Sequence, residues 1–266
     1  MQSKLTFWAL TIFFILFVLF LYGPMIAIFV LSFQGPTGGM TFPLRGVSLH
    51  WFADLIESTR YGDLGGAFKR SIILGLVAML ITVTVSFFAG LGFRRKFRGS
   101  GALFYLAIIS LVMPGILTGL GIGTLFASLG LQPNWLISGL GAHLTWTLPF
   151  GLLIMFAVLN RFNGSWEEAA RDAGATRTQV LKEVTLPILF PGLIAVALFG
   201  LTLSYDEFPR SLLTVGTKNT LPIQVAALTS NVTTPALYAI GTLTTALSLL
   251  IIVAAFSAIA LTRRKR

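Results

Sequence analysis

The chain has 266 residues, of which 55% are apolar and 11% charged, with a formal net charge of +10 and no cysteine. Soluble domains carry about 25% charged residues, so the composition excludes an ordinary soluble globular protein and points to an all-α integral membrane protein. The missing thiols exclude disulfides and cysteine-ligated metal sites, and basic residues split among membrane-edge clusters argue against nucleic-acid binding.

A membrane span needs about 20 apolar residues. Six are expected, at 5–33, 71–93, 102–129, 136–160, 186–205 and 236–261. The first follows Lys4 and is longer than the roughly 7–15 residues of a signal-peptide core, so it is read as a retained anchor. At about 1.5 Å per residue it exceeds a hydrocarbon layer of roughly 30 Å. Projection from the bilayer with a bend near Gly23 and Pro24 is expected. Residues 1–66 then form an N-terminal span with an external segment.

That segment, 34–70, begins rich in Gly and Pro and then predicts a short helix at 49–56, where Trp51 and Phe52 suit the membrane interface. It is fitted either to anchor the chain or to receive a protein that delivers substrate. Residues 67–262 form a five-helix core. In its first part, Met113-Pro114-Gly115 with Gly119, Gly121 and Gly123 predicts a kinkable third span. Leu148-Pro149 interrupts the fourth, where His143, beside Thr145, Trp146 and Thr147, reads as an interhelical hydrogen bond rather than a substrate contact. Two histidines, His50 and His143, are too scattered for a metal site.

Between the fourth and fifth spans lies a charged segment, Glu168 to Pro187, EAARDAGATRTQVLKEVTLP. Two capping boxes are expected, Ser165 with Glu168 and Thr176 with Gln179. Gly174 sits between them to leave the first helix in a left-handed conformation. A helix, a sharp turn and a second helix follow. Glu167, Glu168 and Asp172 lie early in the first helix, where its dipole favours them. Ala169, Ala170, Ala173 and Ala175 keep the surface small enough for another protein to approach.

At the far end of the fifth span, Ser204-Tyr205-Asp206-Glu207-Phe208 places two carboxylates beside an apolar run, which is costly unless they reach water or a cavity. Adjacent helical residues diverge by about 100°, so one is expected to face a pathway while the other pairs with Arg210 or caps the loop. Tyr205, Asp206 and Glu207 are the candidate substrate-pathway residues. Residues 208–235, with Pro209, Pro222 and Pro235, read as a folded or partly re-entrant loop, and 263–266 as a basic tail.

The Glu168 segment resembles the "EAA" signature of permease subunits of bacterial ATP-binding-cassette importers: Glu-Ala-Ala, three residues, Gly, nine residues, then Ile-x-Leu-Pro. Glu168, Ala169 and Ala170 are followed by Gly174 and then by Val184, Leu186 and Pro187, with Val for Ile the one departure. The resemblance implies a type I importer permease fold of six transmembrane helices, with 161–186 as the coupling loop that docks on a cytoplasmic ATPase dimer. It further implies a second permease subunit, a different chain, and a periplasmic or extracellular substrate-binding protein. The L-S-Y-D-E-F segment and the later T-x-x-L-P-I-Q make the chain similar to spermidine/putrescine-type permeases, which implies polyamine import. The alternatives are another small solute, such as ferric iron, a phosphonate, an opine or an amino-acid derivative, or a passive or ion-driven carrier.

No Gly-x-x-x-x-Gly-Lys-Ser/Thr phosphate loop occurs, so the chain is read as a non-enzymatic transport subunit without its own cofactor; ATP and magnesium belong to the partner ATPase. The 19 Lys and Arg gather mostly on one side of the six spans, at Lys4, 94–98, 161–182 and 263–266. The positive-inside rule makes that side cytoplasmic, with both termini inside a bacterial inner membrane.

Overall fold

In the hydrocarbon core of a bilayer there is no water to satisfy backbone amides, so a spanning segment must bond to itself. The computed structural model, which describes residues 4–57, 59–95, 97–231 and 233–264, accordingly has helices wherever the chain is apolar. Lys96, Lys265 and Arg266, counted above among the basic clusters, lie outside the described residues. The elements are α1 (Lys4–Leu31), α2 (His50–Glu57), α3 (Leu64–Phe93), α4 (Ser100–Val112), α5 (Gly115–Ser128), α6 (Ser138–Leu159), α7 (Ser165–Asp172), α8 (Arg177–Gln179), α9 (Leu186–Tyr205), α10 (Leu221–Asn231) and α11 (Ala236–Arg264). Among the described residues five helical stretches are long and apolar enough to cross a membrane; α4 and α5, bent by 105° where they join, supply a sixth span when counted as one.

The helices form two units, one of residues 1–64 and 225–249, the other of 65–224 and 250–266. In the first, α1 runs through Pro24 without a break, and nearly all of its apolar side chains are exposed, as expected of a surface meeting lipid or another apolar partner. Its length, about 42 Å at 1.5 Å per residue, exceeds the hydrocarbon layer. Beyond it the buried Gln34 organises the loop, donating from Nε2 to the Gly39 carbonyl at 3.1 Å and accepting the Arg45 N–H. α2 lies one residue from its expected position. Trp51, expected at the membrane interface, instead packs inward with Leu55, Tyr61, Leu228, Ala236, Ala239 and Ile240. Protein burial removes more of the indole from water than a headgroup layer does, which is why an aromatic beside Leu55 turns to the core when one is within reach.

The second unit is built on close backbone approach. Without a hydrophobic force between helices in lipid, small residues that let dispersion contacts form decide the packing. α6 and α9 lie along each other, and Phe87, Met155, Leu159, Leu189 and Val196 from α3, α6 and α9 share a core. The contacts pass through glycines: Gly90 faces Met155 and Leu159, Gly151 faces Thr82 and Ser86, Gly192 faces Val158 and Gly200 faces Met79. The Thr82 hydroxyl donates to that of Thr147 at 2.8 Å, joining α3 to α6 inside the core.

Two expectations about proline are corrected. α6 continues through Pro149 without interruption. The third span is broken at Met113-Pro114 rather than kinked, with both residues extended. Proline disfavours a helical residue before it, and at 114 that preference decides, because Pro114 can open α5, where its missing N–H has no intrahelical partner to lose. At 149 packing holds the helix together. The glycines of α5 serve contact rather than bending. A Cβ on Gly119 would lie 2.9 Å from the Arg210 carbonyl oxygen, and one on Gly123 2.9 Å from that of Leu213, whereas Gly121 faces open space.

The glycine packing makes opposite substitutions at neighbouring sites informative. Gly121→Ala should be neutral or stabilise by about 0.5–1 kcal/mol through helix propensity, and Gly119→Ala should destabilise by about 1–3 kcal/mol through overpacking against backbone. Thermal unfolding of the detergent-solubilised chain measures both, and equal melting temperatures would contradict the assigned α5 contact.

Candidate functional site

Glu168 to Pro187 begins on a helix that is capped differently from the expected pattern. Ser165 is not the cap. Gly164 occupies that position with no side-chain hydrogen bond, and the Asn163 side-chain oxygen accepts the Ser165 N–H at 3.0 Å. Asn is as good a partner as Ser for these orphan amides, and here it lies two residues earlier. The second capping box is formed: the Gln179 N–H reaches the Thr176 hydroxyl, and the Gln179 side chain accepts from the Thr176 N–H at 2.8 Å. Gly174 leaves α7 with φ of +87°, a conformation that disfavours any residue with a Cβ.

The second helix does not stand apart from the span. α8 passes into a π-helical segment, Val180–Thr185, and then directly into α9. Residues five apart diverge by about 140° on an α-helix, whereas i→i+5 bonding brings them to one side. Val180 and Thr185 are thus buried together. Val184 and Pro187 are half-buried, and Leu186 is at the margin of exposure. These three are therefore parts of the same rod as the span.

Thr185 faces the loop's main tether. The Arg94 guanidinium, just past the end of α3, makes a two-pronged bond to Glu167 at 2.8 and 3.0 Å, and the Thr185 hydroxyl donates to the same carboxylate at 2.7 Å. Arg94 also lies over the Phe162 ring at 4.8 Å. One carboxylate thereby links α7 to the ends of α3 and α9. Glu168, Ala169 and Gly174 stay exposed and Ala170 partly so, leaving the outer face of α7 open. The residue that ties the loop is Glu167, not Glu168. In the sequence Glu167 stands only as a helix-start charge, since nothing local connects it to an arginine 73 positions away.

Hydrogen bonds from Arg94 and from Thr185 hold the Glu167 carboxyl below the ordinary carboxylate range. A depressed acid stabilises above its unfolded value, so the tether is complete at pH above 4.5 and is lost as pH falls through the folded value.

At the other end of α9 a second polar cluster closes the unit. His143 is buried between the Ser204 and Ser211 hydroxyls at 2.7 and 2.8 Å, so it is an interhelical hydrogen-bonding group. Glu207 accepts the Arg210 N–H at 3.0 Å and pairs with its guanidinium at 3.2 Å. Both side chains are nearly excluded from solvent, and Arg210 lies over Trp146 at 4.5 Å. Asp206 is exposed and Tyr205 buried. The three candidate pathway residues therefore have different surroundings: Glu207 is engaged by Arg210, Tyr205 is inside the protein, and Asp206 presents a carboxylate outward. Among the described residues no group of three or more His, Asp or Glu is placed to hold a metal ion.

No protein-family model matches the chain. It is 28% identical over 235 residues to the spermidine/putrescine transport system permease protein PotC of Haemophilus influenzae, covering 88% of this chain and 90% of that one. It is also 28% identical over 238 residues to the putrescine transport system permease protein PotI of Escherichia coli, covering 84% and 81%. Its fold is similar to a chain of a bacterial ABC transporter involved in the import of the acidic polysaccharide alginate, with a TM-score of 0.71 at 17% identity over 98% and 95% of the two chains. A chain of the MetNI methionine ABC transporter gives a TM-score of 0.55 at 18% identity over 76% and 98%.

Two substitutions test the geometry. Glu167→Ala should loosen α7, with amide exchange over 165–172 about fivefold faster, the equivalent of about 1 kcal/mol for a partly exposed pair; unchanged exchange would contradict the tether. Glu207→Gln strands the buried Arg210 charge and should destabilise the chain by about 3–5 kcal/mol, whereas Asp206→Asn should fall within about 0.5 kcal/mol, both by thermal unfolding in detergent.

Along most of its length the chain is thus similar to permease proteins of spermidine/putrescine and putrescine transport systems, and it shares its fold with chains of ABC transporters.

Proposed function

We propose that this permease subunit serves ATP-driven import of polyamines across a bacterial inner membrane, paired with a second and different permease. A cytoplasmic ATPase dimer supplies the energy and an external binding protein delivers the solute. The observation that carries the coupling role is the loop's construction: α7 is open on its outer face, while Glu167 ties it to Arg94 beyond α3 and to Thr185 at the base of α9.

A partner that grips Glu168, Ala169 and Ala170 moves a body already bonded to two spans. ATP binding closes the ATPases, α7 follows the surface it sits on, and the continuous 177–205 rod carries that displacement to the far end of α9. Gly174 lets the chain reverse between α7 and this rod, and Val184, Leu186 and Pro187 belong to the rod. Rigid-body rocking of this kind is the general form of alternating access. The nucleotide and magnesium act in the partner, and the permease contributes shape change alone.

Polyamines suit the far end of α9. Glu207 is neutralised by Arg210, and the exposed Asp206 offers a carboxylate to an ammonium group. The names of the spermidine/putrescine and putrescine permeases with which the chain shares most of its length support the same substrate class.

The test is ATP-dependent uptake of labelled spermidine and putrescine into vesicles holding this chain with its permease, ATPase and binding-protein partners. Wild-type uptake is expected, and Glu168→Lys or Gly174→Asp should lower it at least tenfold while the subunit still inserts. Wild-type rates in those variants would overturn the docking role. An assembled complex whose ATPase responds to another solute, such as ferric iron, a phosphonate, an opine or an amino-acid derivative, would replace the substrate and keep the importer.

A further inference from the structure

A cleft of about 580 Å³ opens where α3 ends and the 177–185 segment begins. Its rim carries four guanidinium groups, from Arg94, Arg95, Arg171 and Arg177, against the one carboxylate of Glu167. Arg94 is committed to that carboxylate. Arg95, Arg171 and Arg177 are exposed, and no ion pair engages them among the described residues. Three positive charges thus border one concavity beyond the Arg94–Glu167 pair, and Glu167, the one carboxylate lining it, also feels Arg171.

The floor of the cleft is hydrocarbon. Leu91 comes from the last turn of α3, and Val180 and Leu181 from the π-helical segment. Leu91 and Leu181 also border the apolar core shared by α3, α6 and α9. The cleft lies where two apolar spans meet their polar loops, so its floor is at the edge of the hydrocarbon layer and its rim at headgroup level. A free anion would use the arginines and leave the floor unused. An anionic phospholipid has a phosphate for the rim and acyl carbons for the floor, and basic pockets between helices at a membrane surface bind such headgroups.

We propose that this cleft is a binding site for an anionic phospholipid, whose phosphate bridges Arg95 beyond α3 to Arg171 and Arg177 of the coupling loop. The lipid reinforces from outside the link that Glu167 makes from inside. Arginine suits this role because its planar fork bonds phosphate oxygens in pairs. Bilayer charge then sets how stiffly the loop is held to the end of α3. This goes beyond the transport reading and holds whatever solute is carried.

The test uses the full-length chain in detergent micelles and native mass spectrometry, with phosphatidylglycerol, phosphatidylcholine or inorganic phosphate added. Phosphatidylglycerol should be retained about tenfold over phosphatidylcholine, three charges near a headgroup being ample for that preference. The double variant Arg95→Gln with Arg177→Gln should bring the two lipids close to parity, Arg95→Lys with Arg177→Lys should keep most of the difference, and Lys218→Gln, an exposed cation in the loop beyond the far end of α9, should change nothing. Equal retention of both lipids by the wild type would overturn the site, as would an undiminished preference in the glutamine double variant. Displacement of the lipid by millimolar inorganic phosphate would assign the arginines to a free anion and overturn the lipid. The wild-type comparison and the phosphate competition decide the matter even where a variant fails to insert.

Discussion

Close approach of helix backbones is the constraint on which the second unit depends. In lipid, apolar side chains gain nothing by leaving one hydrocarbon surface for another, so helices associate through tight dispersion contact and shared hydrogen bonds. Gly90, Gly151, Gly192 and Gly200 create that contact among α3, α6 and α9, and the Thr82–Thr147 bond adds a polar fastening inside it. Once these helices are held side by side, their ends are placed too. Arg94 can then meet Glu167 at one end, and Ser204 can meet His143 at the other.

The two ends use charge in different ways. At the loop end, Glu167 is partly open to solvent and sits among several guanidinium groups, so its ion pair is fully formed over the physiological range yet only modestly strong. At the far end, Glu207 and Arg210 are nearly excluded from water, and each depends on the other because an unpaired buried charge is severely penalised. The glycine row of α5 lies against the backbone of this segment, so the buried pair and the broken span are held as one piece. The joint at the loop is thus the softer of the two and the one at the far end of α9 the stiffer.

The π-helical segment connects these properties. By turning Val180 and Thr185 to the same side, it buries an apolar and a hydroxyl side chain together where an α-helix would separate them. The hydroxyl then serves Glu167, and the helix still enters the membrane without a break. The chain therefore runs as one continuous helical rod from Arg177 to Tyr205.

The sequence alone determined which segments are helical and apolar, because a spanning helix declares itself by composition over some 20 residues. It also determined the turn at Gly174 and the capping box at Thr176, whose bonds span no more than a few residues. The pairing of Glu207 with Arg210 lay within reach for the same reason, since only three residues separate the two in the turn after α9. The bond from the Ser165 N–H to the Asn163 side chain is equally local and was simply missed. Tertiary structure decided what depends on distant partners: that Trp51 turns inward, and that Pro114 breaks a helix while Pro149 does not. It alone chose Glu167 over Glu168 as the tether. The two neighbours are chemically alike and 100° apart on the helix, and only the packed positions of α3 and α9 determine which of them meets Arg94 and Thr185.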